Sequence, residues 1–156
     1  FLRPINEVQI ASLFAKNKEY YKVFKSCNVG SKTDSWCGKC PKCLFTYLIM
    51  SPFIPEKDLI EIYGGNLLKD NDLLPILKQL KGEVEVKPFE CVGTYEEARY
   101  AVSKIIQKGE SGYLLDYYKE HYELKLDGSF IEKYNEENNL TEYYNTLVKE
   151  ELDRYV

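Results

Sequence analysis

Four cysteines, Cys27, Cys37, Cys40 and Cys43, fall within seventeen consecutive positions of this 156-residue chain. Their pattern, Cys-x9-Cys-x2-Cys-x2-Cys, is read from Ser26-Cys27-Asn28 and from Cys37-Gly38-Lys39-Cys40-Pro41-Lys42-Cys43. A zinc ion takes four soft ligands in a tetrahedron, and a two-residue spacer turns the chain back so that successive thiolates face one point. The gap of nine is a loop that returns the fourth ligand. Four sulfur ligands leave no position open for a substrate, so the expected role is structural. Metal binding of this kind contributes roughly 10–16 kcal/mol to folding, more than the stability of many domains. Its loss is expected to unfold at least the front half. An iron–sulfur cluster is the rival use of clustered cysteines, but the bacterial ferredoxin run places its fourth ligand after the triplet, not before it. Five cysteines is an odd count, and clustering of four suits a reducing cytoplasmic compartment better than a disulfide framework.

The elements that must position these sulfurs are mostly helical. Pro41 suits a first helical position, so a helix is expected from Pro41 through Leu44 and Leu48 to Met50, stopped before Pro52. Being apolar nearly all round, it should be central. Its N-terminal amides would lie beside Cys40 and Cys43 and favour thiolate over thiol. Lys25, Lys32, Lys39 and Lys42 would surround the anionic centre, and Trp36 would shield it. Ahead of the cysteines, Asn6 with Gln9 opens a capped helix to about Lys16, and Tyr20 to Phe24 forms a short turn or helix. Gly30, Ser31, Asp34 and Gly38 make residues 26–39 a loop without regular structure. Beyond the central helix, Pro55 to Tyr63 and Asn71 to Leu80 read as helices. Val84 and Val86 alternate with glutamates as a very short strand. Thr94 with Glu97 is a capping box for a helix from Tyr95 to Lys108, and Tyr113 to Tyr122 and Thr141 to Tyr155 are helical in pattern. The expected fold is mainly α with a four-cysteine zinc-binding loop.

Other residues offer less chemistry. Cys91 stands just ahead of the Thr94 cap, where helix-end amides would make a thiol reactive; its bland reading is a small buried hydrophobe. His121 is the one histidine and reads as a solvated or half-packed side chain. Tyr113, Tyr117 and Tyr118 recur at helical spacing and read as a face between helices. No glycine-rich phosphate loop follows a strand; Gly64-Gly65 is better explained as a helix stop. Residues 1–109 carry 16 basic and 13 acidic groups, whereas residues 110–156 carry 5 and 12. That balance lacks a nucleic-acid footprint. The apolar stretch Leu44 to Met50 is far short of the roughly 20 residues needed to span a bilayer. Phe1 stands where a start Met would, with no signal-type segment after it, so the chain is expected to begin inside a longer parent.

The run Leu2-Arg3-Pro4-Ile5-Asn6-Glu7-Val8-Gln9-Ile10-Ala11, followed by the two cysteine segments, is similar to the C-terminal portion of ATP-pyrophosphatase-type nucleotide hydrolases. The cyano-deazaguanine synthases of that superfamily carry a zinc loop in the same order. Leu2-Arg3-Pro4, Trp36-Cys37-Gly38, Ser51-Pro52-Phe53 and Lys87-Pro88-Phe89-Glu90-Cys91-Val92-Gly93 together resemble the C-terminal domain of the bacterial UDP-N-acetylmuramoyl-L-alanyl-L-glutamate epimerases, over about residues 1–110. The resemblance implies the C-terminal part of an α/β nucleotide-hydrolase-like parent acting in the cytoplasm on peptidoglycan precursors. Such an enzyme inverts the terminal L-glutamate of the nucleotide-linked muramoyl dipeptide, using ATP and magnesium. Adenylating a carboxylate removes its charge and acidifies the neighbouring C–H, so a modest base suffices.

On that reading residues 1–109 are a zinc-loop helical domain and residues 110–156 an acidic, Tyr-rich helical extension covering the core. The superfamily's Ser-Gly-Gly phosphate loop is absent from the sequence, so ATP chemistry is expected upstream and the chain alone inactive. Lys87, Glu90 and Cys91 are candidates to reach the active site, since a base, an acid and a thiol gather on one loop before a helix N-terminus. Two other functions remain open: another ATP-pyrophosphatase-type synthase or ligase, and a zinc-stabilised interaction module without chemistry. A nucleotide loop in the parent favours an enzyme; a coiled-coil or receptor region favours the module.

Overall fold

The computed structural model describes residues 1–86, 88, 92–124 and 128–155. Among the described residues seven α-helices run in the order α1 (Glu7–Phe14), α2 (Pro41–Met50), α3 (Glu56–Tyr63), α4 (Leu74–Leu80), α5 (Tyr95–Gln107), α6 (Tyr113–His121) and α7 (Glu142–Tyr155). Short 3-10 turns at Lys18–Tyr20, Val29–Thr33, Leu67–Lys69, Asn71–Leu73 and Gly128–Glu132 join them. The mainly α expectation holds, and no strand occurs among the described residues. Val84 lies in a bend and Val86 in irregular chain instead, with 41% and 71% of their surfaces exposed. Alternation alone does not make a strand without a partner to pair its backbone.

α2 is the axis of the fold and touches α1, α3, α4 and α5. Cys43, Leu44, Tyr47 and Leu48 are fully buried along it, which is why its sequence is apolar all round. Two predicted capping boxes anchor the flanking helices. Asn6 accepts from the Gln9 amide at 2.9 Å while Gln9 accepts from the Asn6 amide at 2.8 Å, and Thr94 and Glu97 exchange the same pair of bonds at the start of α5. Buried Glu97 also accepts from the Glu7 amide at 2.6 Å, tying the starts of α1 and α5 together.

The last third of the chain packs back through Gln9. Its side-chain amide donates to the carbonyls of Ile131 at 2.8 Å and Lys133 at 2.9 Å, and the Asn135 amide donates to the Pro4 carbonyl at 2.8 Å. α7 then lays Val148 and Leu152 against Ile5, with Ile10 and Leu13 of α1 alongside. A 3-10 turn precedes α4 rather than one continuous helix from Asn71, and Pro75 sits in the first turn of α4, where a missing N–H costs nothing.

A charged latch closes α4 onto α6. Glu83 receives Lys81 at 2.7 Å, Lys78 at 3.2 Å and the Tyr117 hydroxyl at 2.9 Å. The Lys81 ammonium, itself buried, lies against the rings of Tyr117, Tyr118 and Tyr122. Tyr117 and Tyr118 thus form the expected interhelical face, while Tyr113 is 43% exposed. Burial alone would raise the Glu83 pKa, but Lys81, Tyr122, Tyr117 and Lys78 outweigh it and hold it down to about 2.

Leu44→Ala should lower unfolding free energy by about 2–5 kcal/mol, and Ile60→Ala, on the outer face of α3, by no more than about 0.5 kcal/mol, in urea titrations. Because the Glu83 pKa falls on folding, its contribution is complete above the unfolded value of 4.5 and is lost as pH drops toward about 2. Glu83→Gln should therefore cost stability at neutral pH and flatten that acid limb in denaturation measured from pH 6 to 2.

Candidate metal centre

The loop between α1 and α2 brings the four cysteines to one point. Cys40 caps α2 in extended conformation, Pro41 takes the first turn, and Cys43 follows within that turn, so the backbone aims both sulfurs to one side. Gly38, between Cys37 and Cys40, has φ of +68°, a left-handed conformation that a Cβ would oppose. Gly30 allows a close chain crossing, since a Cβ there would collide with the Ser35 carbonyl oxygen. The Ser35 amide donates to the Gly30 carbonyl at 3.1 Å, closing the loop that returns Cys27. The expectation of an irregular loop over 26–39 is corrected at Val29–Thr33, a 3-10 turn built on this crossing.

All four sulfurs lie within 4.8 Å of one another. Cys40 and Cys43 are 3.5 Å apart, Cys37 and Cys43 3.6 Å, and Cys27 and Cys40 3.9 Å. A tetrahedron of sulfurs 2.3 Å from a central ion has edges of about 3.8 Å, so the set has the dimensions of a metal cage. Backbone amides support the sulfurs: Gly30 at 3.2 Å and Cys37 at 3.4 Å donate to Cys27, and Lys39 at 3.5 Å donates to Cys37. Such bonds orient ligands and stabilise thiolate charge.

The thiols differ in acidity. Burial would raise Cys27, but the amides of Cys37 and Gly30 and the thiols of Cys37 and Cys43 outweigh it and bring it to about 7. Burial pushes Cys40 up to about 11 and Cys43 higher still. Backbone amides act in the opposite direction, that of Cys43 in the first turn of α2 lowering Cys40 and that of Gly38 lowering Cys43. Crowded buried sulfurs hold their protons until a cation displaces them.

The surroundings differ in part from expectation. Trp36 is buried in an aromatic run, with ring centroids 5.3 Å from Phe24 and 4.6 Å from Tyr63, and its indole N–H donates to the Phe24 carbonyl at 3.3 Å. Lys39 turns outward to Asp70 at 2.6 Å and Asp72 at 3.3 Å. Lys42 reaches Asn28 at 3.3 Å, and Lys25 donates to the Lys22 carbonyl at 2.9 Å. These lysines serve neighbouring chain segments rather than the sulfurs. Lys87, Glu90 and Cys91 lie outside the described residues. Nearby Val92 packs on the core, and a Cβ at Gly93 would collide with Glu97 and Phe45. His121 is exposed, stacked on Tyr117 with ring centroids 4.1 Å apart, which matches its solvated reading. Sequence reasoning missed the Lys81–Glu83 latch; the one available signal was a lysine and glutamate two apart across Gly82, facing a tyrosine pair on α6.

The family described as the MurL C-terminal domain matches residues 23–115, a span that contains all four clustered cysteines. Three relatives share the name UDP-N-acetyl-alpha-D-muramoyl-L-alanyl-L-glutamate epimerase. That of Micromonospora sp. is 41% identical over 113 residues, covering 70% of this chain and 25% of its own length. That of Salinispora tropica is 42% identical over 106 residues, covering 65% and 23%. That of Xanthomonas oryzae pv. oryzae is 39% identical over 115 residues, covering 70% and 26%. The chain thus spans about a quarter of the length of the curated relatives it matches. No solved structure matches it. With the family match covering more than half of its length, the chain belongs to the MurL C-terminal domain family.

Proposed function

We propose that this chain is the zinc-stabilised C-terminal part of an ATP-dependent epimerase. Its parent would convert the terminal L-glutamate of UDP-N-acetylmuramoyl-L-alanyl-L-glutamate to D-glutamate in cytoplasmic peptidoglycan precursor synthesis. The observation that carries this reading is the family match together with about 40% identity to three proteins of that name. Cys27, Cys37, Cys40 and Cys43 are the proposed zinc ligands, supported by their mutual distances and amide support. All four positions are sulfur, so the ion holds structure and performs no step.

The proposed division is a zinc-loop domain over 1–109 and an acidic helical extension over 110–156. The hydrogen bonds from Gln9 to Ile131 and Lys133 support an extension that covers the core. ATP with magnesium would supply activation of a substrate carboxylate. No described segment forms a glycine-rich phosphate cradle, so that step is assigned to the part of an α/β parent that the relatives' greater length leaves room for. Lys87, Glu90 and Cys91, which precede α5 in the sequence, are proposed to reach that active site as a proton acceptor or donor set.

Two experiments test this reading. Elemental analysis of the purified chain should find one zinc per polypeptide, and a strong chelator should abolish cooperative unfolding of the helical signal; protein that folds equally well without any metal contradicts the ligand assignment. The full-length parent, given ATP, magnesium and the UDP-muramoyl dipeptide, should yield D-glutamate after acid hydrolysis, and Cys91→Ala should reduce turnover at least about tenfold if the thiol transfers a proton. Absence of D-glutamate would refute the epimerase assignment, and unchanged turnover in the variant would remove Cys91 from the site.

A further inference from the structure

The four sulfurs are unequal in their access to solvent. Cys27, Cys40 and Cys43 are 4%, 8% and 0% exposed, whereas Cys37 is only partly buried. Cys37 precedes the part-exposed Gly38 and the exposed Lys39, so solvent approaches the cluster from its side. The shortest sulfur–sulfur approach to Cys37 is that of Cys43, at 3.6 Å, while Cys43 also lies 3.5 Å from Cys40 and Cys27 lies 3.9 Å from Cys40. A metal-bound tetrathiolate keeps nucleophilic sulfur, and oxidation selects the thiolate that an oxidant can reach.

We propose that Cys37 is a site of oxidative modification and Cys43 the sulfur that resolves it, so that a peroxide converts the pair into a disulfide and expels the cation. The inference rests on the metal reading above. In the first step the Cys37 thiolate attacks one oxygen of hydrogen peroxide; an S–O bond forms, the O–O bond breaks, and hydroxide leaves with a Cys37 sulfenic acid behind. In the second the Cys43 thiolate attacks the Cys37 sulfur, the S–S bond forms and a second hydroxide departs. Two thiolates lose two electrons and one peroxide gains them. Only Cys27 and Cys40 would then be left to hold a cation, too few for a closed four-sulfur site. Because Cys43 lies in the first turn of α2, the start of the central helix loses its anchor at the same moment. A dithiol reductant returns the disulfide to two thiols by thiol–disulfide exchange, itself becoming a cyclic disulfide, and added zinc can then be rebound.

The test uses the zinc-loaded 156-residue chain. Equimolar hydrogen peroxide is added, released zinc is followed with a chromophoric chelator, and cysteine states are mapped by mass spectrometry after alkylation. One zinc should leave for each Cys37–Cys43 disulfide formed, and dithiothreitol with zinc should restore the starting spectrum. In a parallel limiting alkylation of the zinc form, Cys37 should react at least about tenfold faster than Cys27, Cys40 or Cys43. A disulfide joining any other pair, or zinc leaving while Cys37 stays reduced, overturns the assignment and leaves the metal reading intact. A chain that never carries zinc overturns the metal reading itself, and this inference with it.

Discussion

Four sulfurs held within 4.8 Å of one another are the constraint on which the front of this fold depends. As free thiols they have no reason to gather, since each is weakly polar and two are driven toward protonation by burial. As thiolates without a cation they would repel one another. A divalent ion would turn that conflict into attraction, and the order it would supply falls at the N-terminus of α2. That helix meets α1, α3, α4 and α5. Fixing its first turn therefore fixes the reference against which most of the core is packed.

Two polar devices extend the order outward. Glu97 joins the starts of α1 and α5, and Gln9 receives the chain as it returns at Ile131 and Lys133. Buried Gln9 has both ends of its amide used, one in the capping box and one across the fold. A buried amide left half-satisfied would cost more than the pairing contributes, so the tail and the first helix are mutually dependent. On the other side, the Lys81–Glu83 latch holds α6 to the end of α4, just before the segment that carries Lys87, Glu90 and Cys91.

What could be read from the sequence was the local chemistry. Cysteine spacing, Pro41 at a helix start, and the Asn6/Gln9 and Thr94/Glu97 boxes all operate within a few residues, and each stands where the spacing placed it. Contacts across the chain were not legible: nothing near Glu97 announces the Glu7 amide, and nothing near Gln9 announces Ile131. The alternation at Val84 and Val86 suggested a strand because the pattern is local while pairing is not. Lysine clustering around the cysteines suggested electrostatic support for the centre, yet Lys39 finds carboxylates 31 and 33 positions away. The family was legible because its four-cysteine motif is itself a local string, and the match over residues 23–115 contains it.

X-ray absorption at the zinc edge of the purified chain tests the central claim most directly. The account predicts a single shell of four sulfurs at about 2.3 Å with no nitrogen or oxygen neighbour. A first shell containing light atoms, or fewer than four sulfurs, would contradict it.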